Sequence, residues 1–239
     1  MPRHPDELVD RDTLAHLQAA VNHNDADVLI GESAELRTKL NDGTFPLSRA
    51  YFYSNVFTLV TAFRLIAADP TDTRRYHHAM NILSLVRENN NESRWSSIVN
   101  ADIPMSTLQR TAQKIGNLYF NQPQNSVTPI DKEPARLFAR FVDYLVRTGY
   151  NVHSGILDQT LPAGVPCTLA SIAIEYNYAD LMAACNSASF NYASLQGKPA
   201  LKSIMYTGRR FRHDSAETIS QLPHWIVGAM MTDGVPTPY

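Results

Sequence analysis

Apolar residues recur three and four positions apart along most of this chain, and regular alternation of apolar and polar residues is nearly absent. That spacing predicts amphipathic α-helices and no substantial sheet. The clearest run extends from Pro134 to Thr148, where Leu137, Phe138, Phe141, Val142 and Leu145 form one stripe. Arg136, Arg140, Asp143 and Arg147 fall largely outside it. Pro134 suits a first helical turn, where its missing N–H has no partner to lose, and Gly149 is placed to end the helix. Tyr76, Met80, Leu83 and Val86 make a second stripe, and Met105, Leu108, Ala112, Ile115 and Tyr119 a third.

Polar and proline-rich stretches separate these helices. Asn89, Asn90, Asn91 and Glu92 form a short polar break. From Asn121 to Pro134 the chain carries Pro123, Pro129 and Pro134 among polar residues, so this is the longest connector expected. A loop of that length inside a helical chain is also a candidate binding segment.

The C-terminal half shows short helices in a repeated layout. Thr168 to Ile174 reads as a first helix rich in small residues, Asn177 as a left-handed turn, and Asp180 to Cys185 as a second helix that turns Leu181, Met182 and Cys185 to a neighbour. Leu145 to His153, around Gly149, has the character of a second helix and the hairpin after it. Ser189-Phe190-Asn191 repeats that hairpin start, and Gly197-Lys198-Pro199-Ala200-Leu201 opens a further unit, with Pro199 standing 31 residues after Thr168. This succession resembles the ankyrin-repeat family, most clearly over residues 137–205. Looser similarity lies at Ala19-Ala20 with Asn24 and Asp27, and at Gly43-Thr44-Phe45-Pro46-Leu47 leading into Ala50, Ser54 and the apolar run from Val56 to Ile66. Leu169 stands where the family has Pro and Ser171 where it has His, which predicts a weakened hydrogen-bonded start to that unit.

The resemblance implies an all-α, helical-repeat solenoid of antiparallel helix pairs with short hairpin-like connectors. A different helical repeat or bundle is the other architecture compatible with the stripes. The expected organisation is an N-terminal helical region with weak ankyrin-like pairs over 1–120, a Pro-rich connector over 121–133, ankyrin-like repeats over 134–213, and a capping helix with tail over 214–239. In the cap, Ser215 starts a helix, Ile219, Leu222, Trp225, Ile226 and Met230 cover the last repeat, and Pro223 breaks the helix. The resemblance further implies a concave surface that binds a partner protein. Asn151, His153, Tyr176, Asn191 and Tyr192 would line it, with Arg210 and Arg212 extending it toward the C-terminus.

Composition changes this picture little. Among 239 residues, 21 basic and 23 acidic side chains are mixed along the chain for a formal net charge of -2, so no global field favours nucleic acid. The apolar stretch from Val56 to Ala68 contains Thr58, Thr61 and Arg64 and is too short to span a bilayer. Met1 to Asp12 is charged, with Pro2 and Pro5 and no apolar signal region. A cytoplasmic location is expected, with export by dedicated machinery left open. The setting that suits such a chain is a bacterial effector or an immunity-type inhibitor that blocks one target.

No phosphate-cradling, dinucleotide, zinc-protease, hydrolase or calcium-loop signature occurs, so neither a cofactor nor a catalytic set is expected. His77 and His78 are adjacent, about 100° apart on a helix, and make poor joint metal ligands. Arg209, Arg210 and Arg212, with Phe211 and His213, form the most basic patch, suited to phosphate or an acidic partner surface, or to solvation and pairing with acidic neighbours. Cys167 and Cys185, without a CxxC, read as small buried hydrophobes. The alternative to a binding module is a thiol-dependent hydrolase or transferase in which one of these cysteines meets a distant histidine only in the fold.

Overall fold

Helices form where the apolar spacing places them, and prolines stand at or next to the start of several of them. The computed structural model describes residues 19–20, 23, 25–31, 59–88, 92–121, 131–153, 160–161, 165–187 and 192–232. The expectations for Asn24, for Gly43 to Val56, for 122–130 of the connector, for Ser189 to Asn191 and for the tail beyond 232 lie outside the described residues. Two compact units result, Met1–Ile103 and Pro104–Tyr239.

In the first unit, α1 (Leu59–Ala68), α2 (Thr73–Glu88) and α3 (Glu92–Asp102) pack on one another. Helix α1 buries Leu59, Phe63, Leu65 and Ile66, and its apolar character nearly all round suits a helix covered on more than one face. Polar side chains set the turn into α2. The amide and hydroxyl of Thr71 donate to the Asp69 carboxylate at 3.0 and 2.6 Å, and the Arg74 amide donates to the Asp72 carboxylate at 3.1 Å. Arg75 donates to the Leu65 carbonyl at 2.8 Å, adding a second donor to an acceptor that already takes the Asp69 amide at 3.3 Å near the end of α1. Tyr76 and Leu83 of the second stripe are buried, Met80 is half-buried, and the Tyr76 hydroxyl donates to the Pro70 carbonyl at 2.8 Å. Trp95 and Val99 of α3 complete this core.

The second unit comprises α4 (Met105–Tyr119), α5 (Glu133–Arg147), a two-residue antiparallel ladder of β1 (Thr160–Leu161) and β2 (Val165–Pro166), α6 (Leu169–Glu175), α7 (Ala179–Cys185), a 3-10 turn (Tyr192–Leu195), α8 (Pro199–Phe211), α9 (Ala216–Ile219) and α10 (His224–Met231). All five residues of the expected α5 stripe are buried, and Gly149 follows the helix at φ 107°. In α4, Leu108, Ala112, Ile115 and Tyr119 are buried, with Met105 half-buried. Helix α6 packs on both α4 and α8, α7 packs on α5, and α6 and α7 pack on each other. Of the two roles open to the connector at 121–133, a divider of two halves or an insertion within one, its place between α4 and α5 inside the second unit matches the insertion, since α4 packs on both α5 and α6.

Helices α6 and α7 have only 7 residues each, too short to persist alone, so packing and end contacts must hold them. The start of α6 corrects one expectation. Ser171 does not weaken it: the Thr168 amide donates to Ser171 Oγ at 2.9 Å and the Ser171 amide to Thr168 Oγ1 at 3.1 Å, a reciprocal capping box. Asn177 takes the expected left-handed turn at φ 49°. The Tyr178 hydroxyl then donates to the Ala135 carbonyl at the start of α5.

At the C-terminal end Ile219, Leu222, Ile226 and Met230 are buried, and Pro223 separates α9 from α10 as expected. Two residues depart from the expected cap. Trp225 is 47% exposed, because it lies on the side of α10 away from buried Ile226 and Met230. Ser215 stands at the N-cap position of α9 as expected, but its hydroxyl donates to the Ile174 carbonyl of α6 and not to the helix it starts. Two substitutions test this arrangement by chemical denaturation. Leu181→Ala, at a fully buried position of α7, is expected to cost about 2–5 kcal/mol. Thr168→Ala, which removes the box, is expected to cost about 1 kcal/mol.

Candidate functional site

The reversal after α6 builds the most exposed group of expected site residues. Glu175 ends the helix, Tyr176 and Asn177 turn the chain, and the Asn177 carboxamide accepts a hydrogen bond from the Thr218 hydroxyl at 2.9 Å. This directs the Tyr176 ring onto α4 at Gly116, where a Cβ would stand 2.5 Å from the ring. The Tyr176 hydroxyl donates to Asn117 at 3.1 Å. Glu175 lies between Tyr176 and α8: burial raises its carboxyl above the usual carboxylate range, and the Arg210 guanidinium opposes that shift. Arg210 is exposed and stacks over the Phe211 ring at 5.0 Å, while the half-buried Arg212 donates to His213 at 3.2 Å. Arg209 is committed to the interior, donating to the Ala229 carbonyl of α10 at 2.8 Å. This edge thus gathers Asn117 near the end of α4, Glu175 and Tyr176 at the end of α6, and Arg210 at the end of α8, with Arg212 following it at the helix end. The last carbonyls of a helix carry partial negative charge, so guanidinium groups at the end of α8 are favourably placed.

The other expected residues go elsewhere. His153 and Tyr192 are 4% and 5% exposed, so neither lines an open groove, and that expectation is corrected. Their rings meet edge-on at 5.3 Å, and the Tyr192 hydroxyl donates to Asn186. The apolar body of the Tyr192 ring repays burial once its hydroxyl has a partner, and the edge-on contact with His153 packs both rings, which is why residues suited to an interface serve as packing here. Asn151 is exposed beside them and accepts a hydrogen bond from the His153 amide at 3.2 Å. Asn191 lies outside the described residues. The structure therefore brings Tyr176 and Arg210 together on either side of Glu175, places Arg212 just past the end of α8 against His213, and leaves Asn151, His153 and Tyr192 in a separate cluster.

Asn117 and Glu175 were not expected at the edge. A signal for this contact was present in Gly116: a glycine inside a helical stripe costs stability and marks a close approach, although not by which residue.

Both cysteines are interior side chains. Cys167 and Cys185 are buried; burial raises the thiol of each, that of Cys185 to about 12, and Cys167 Sγ sits 3.7 Å from the Ser171 hydroxyl. Raised values keep a thiol protonated and a weak nucleophile. Among the described residues no group of three or more His, Cys, Asp and Glu side chains is arranged to hold a metal ion, and no helix is long and apolar enough to cross a membrane. No family model matches the chain, and neither a curated protein nor a solved structure does.

Two measurements check this placement. In native buffer an alkylating reagent should modify Cys167 and Cys185 far more slowly than in denaturant, and fast native labelling would contradict their burial. The second concerns acid. Burial lowers the His153 pKa to about 4 in the folded chain, below the ordinary value of 6.5, so on acidification the unfolded chain takes up the proton first. The contribution is complete above about pH 6.5 and is lost as the pH falls toward 4, by an amount on the order of 3 kcal/mol. His78, in the first unit, is lowered to about 4 by the same cause. His153→Phe should therefore remove only the second unit's share of the acid slope, read from denaturation curves across that pH range.

Proposed function

We propose that the second unit is a non-enzymatic protein-binding module, an ankyrin-like stack of antiparallel helix pairs joined by hairpin-like connectors. The observation that carries this reading is the packing of each helix on the helix two along: α4 on α6, α6 on α8, and α5 on α7. A stack of that kind buries each short pair against its neighbours and leaves helix ends and connectors to vary without cost to the core. The positive-φ residues Gly149, Asn177 and Gly197 support it, since they fall after α5, after α6 and ahead of α8, where a repeating chain must reverse.

The partner is a protein held along the edge of Tyr176, Arg210 and Arg212. Tyrosine offers a large, stiff contact surface with a polar tip, and arginine offers a planar, multiply donating cation; both are enriched where protein interfaces bind most strongly. A bacterial effector or immunity-type inhibitor that blocks one target is the biological role that fits such a module. An affinity capture with the full chain tests it, compared with an Arg210→Glu/Arg212→Glu variant. Both side chains lie outside the Tyr176–Gly116 packing, and denaturation curves of the two forms, measured alongside, separate a loss of binding from a loss of fold. One stoichiometric protein partner, bound at least about tenfold more weakly by the variant, is the expected result. An identified partner that binds both forms equally removes this edge from the interface.

A further inference from the structure

A cleft of about 420 Å³ lies between the outward sides of α5 and α7, away from the edge just described. Helix α5 turns its apolar stripe into the core, which leaves Arg136, Arg140, Asp143 and Arg147 as the opposite row, at spacings of 4, 3 and 4 residues. At 1.5 Å per residue the row runs about 16 Å, or three turns. Asp180 of α7 borders the other side. The floor is made by buried Ala139 of α5 and Ala184 of α7, with exposed Ala183 beside them, and their methyl groups leave a shallow apolar trough.

The charges on the rims are unequally satisfied. Arg147 pairs with Asp143 at 2.9 Å, and Arg136 reaches Glu133 only at 3.8 Å. Among the described residues neither Arg140 nor Asp180 forms an ion pair. We infer that this cleft is a docking groove for an amphipathic helix of a partner protein, with two carboxylates one turn apart facing Arg136 and Arg140 and a basic side chain facing Asp180. Arg136 and Arg140 are themselves one helical turn apart, so carboxylates at positions i and i+4 of a helix laid alongside meet them in register. A floor of alanines between two packed helices lets the ridge of a third helix seat closely. The carboxylates of Asp143 and Asp180 on the rims disfavour a uniformly anionic polymer such as nucleic acid. The groove is distinct from the Tyr176–Arg210 edge, and each stands or falls without the other.

The test is a displayed library of four-turn helical peptides, randomised on their surface positions and panned on the full chain. The enriched peptides should carry Asp or Glu pairs at i and i+4 and bind an Arg140→Glu variant at least tenfold more weakly. Replacing one of the paired acids with Lys should restore binding to that variant. Arg140 is exposed, so the variant is expected to unfold at the same denaturant concentration as the parent, which separates lost binding from lost structure. No enrichment of acid pairs, or equal binding to both proteins, overturns the proposal. So does a single-stranded oligonucleotide that binds with the same dependence on Arg140, which would assign the groove to nucleic acid.

Discussion

The second unit depends on burying a two-turn helix on every side. Leu169 to Ile174 of α6 are all buried, beneath α4, α7, α8 and α9. A helix of that length contributes almost no stability of its own, and its ends expose backbone groups that cannot be left unpaired in an apolar interior. Each end is answered by a specific polar contact. Thr168 and Ser171 cap the start, the Gln109 carboxamide donates to the Cys167 carbonyl just ahead of it at 3.1 Å, and the Ser215 hydroxyl takes the Ile174 carbonyl near its end. These contacts come from α6 itself, from α4 and from the segment before α9, so residues distant in sequence share one short helix as a common support.

That constraint also distributes the chemistry. Because α6 must be covered, the residues at its start, Cys167 included, are sealed from solvent, and the residues at its end reach the surface. The reversal at Asn177 puts Tyr176 across α4, where only a glycine leaves room for the ring. Tyr178, one residue past the turn, goes inward to hydrogen-bond α5. Two tyrosines separated by a single residue thus have opposite roles, one half-buried at an edge and one wholly in the core.

The surface that remains is polar and mixed in sign, as the balanced composition requires. Arginines at the end of α8 and along the outer row of α5 are not equivalent, however. Arg209 and Arg147 are already engaged by a carbonyl and a carboxylate, whereas Arg140 faces the alanine-floored cleft without an ion pair among the described residues. Spare charge beside a shallow apolar trough is a combination that can discriminate between partners, since a wrong-sign side chain there costs more than a right-sign one gains.

The sequence by itself determined the buried faces of α4 and α5 and the local breaks that bound the short helices after them. The α5 stripe, the left-handed turn at Asn177, the helix end at Gly149 and the break at Pro223 are local consequences of residue type, legible without a fold. Only the tertiary structure decided which polar and aromatic residues would be buried. His153 and Tyr192 have the composition of an interface, yet their rings pack against each other in the interior. Trp225 has the composition of a core, yet it stands exposed. Ser171 looked like a weakened start and proved half of a cap. The physical reason is that periodicity reports the face of an element, whereas the fate of an amphipathic side chain depends on whether a neighbour from elsewhere in the chain supplies its polar atom with a partner. That neighbour is chosen by packing between elements, over separations such as the 41 residues between Ser215 and Ile174, which no local pattern encodes.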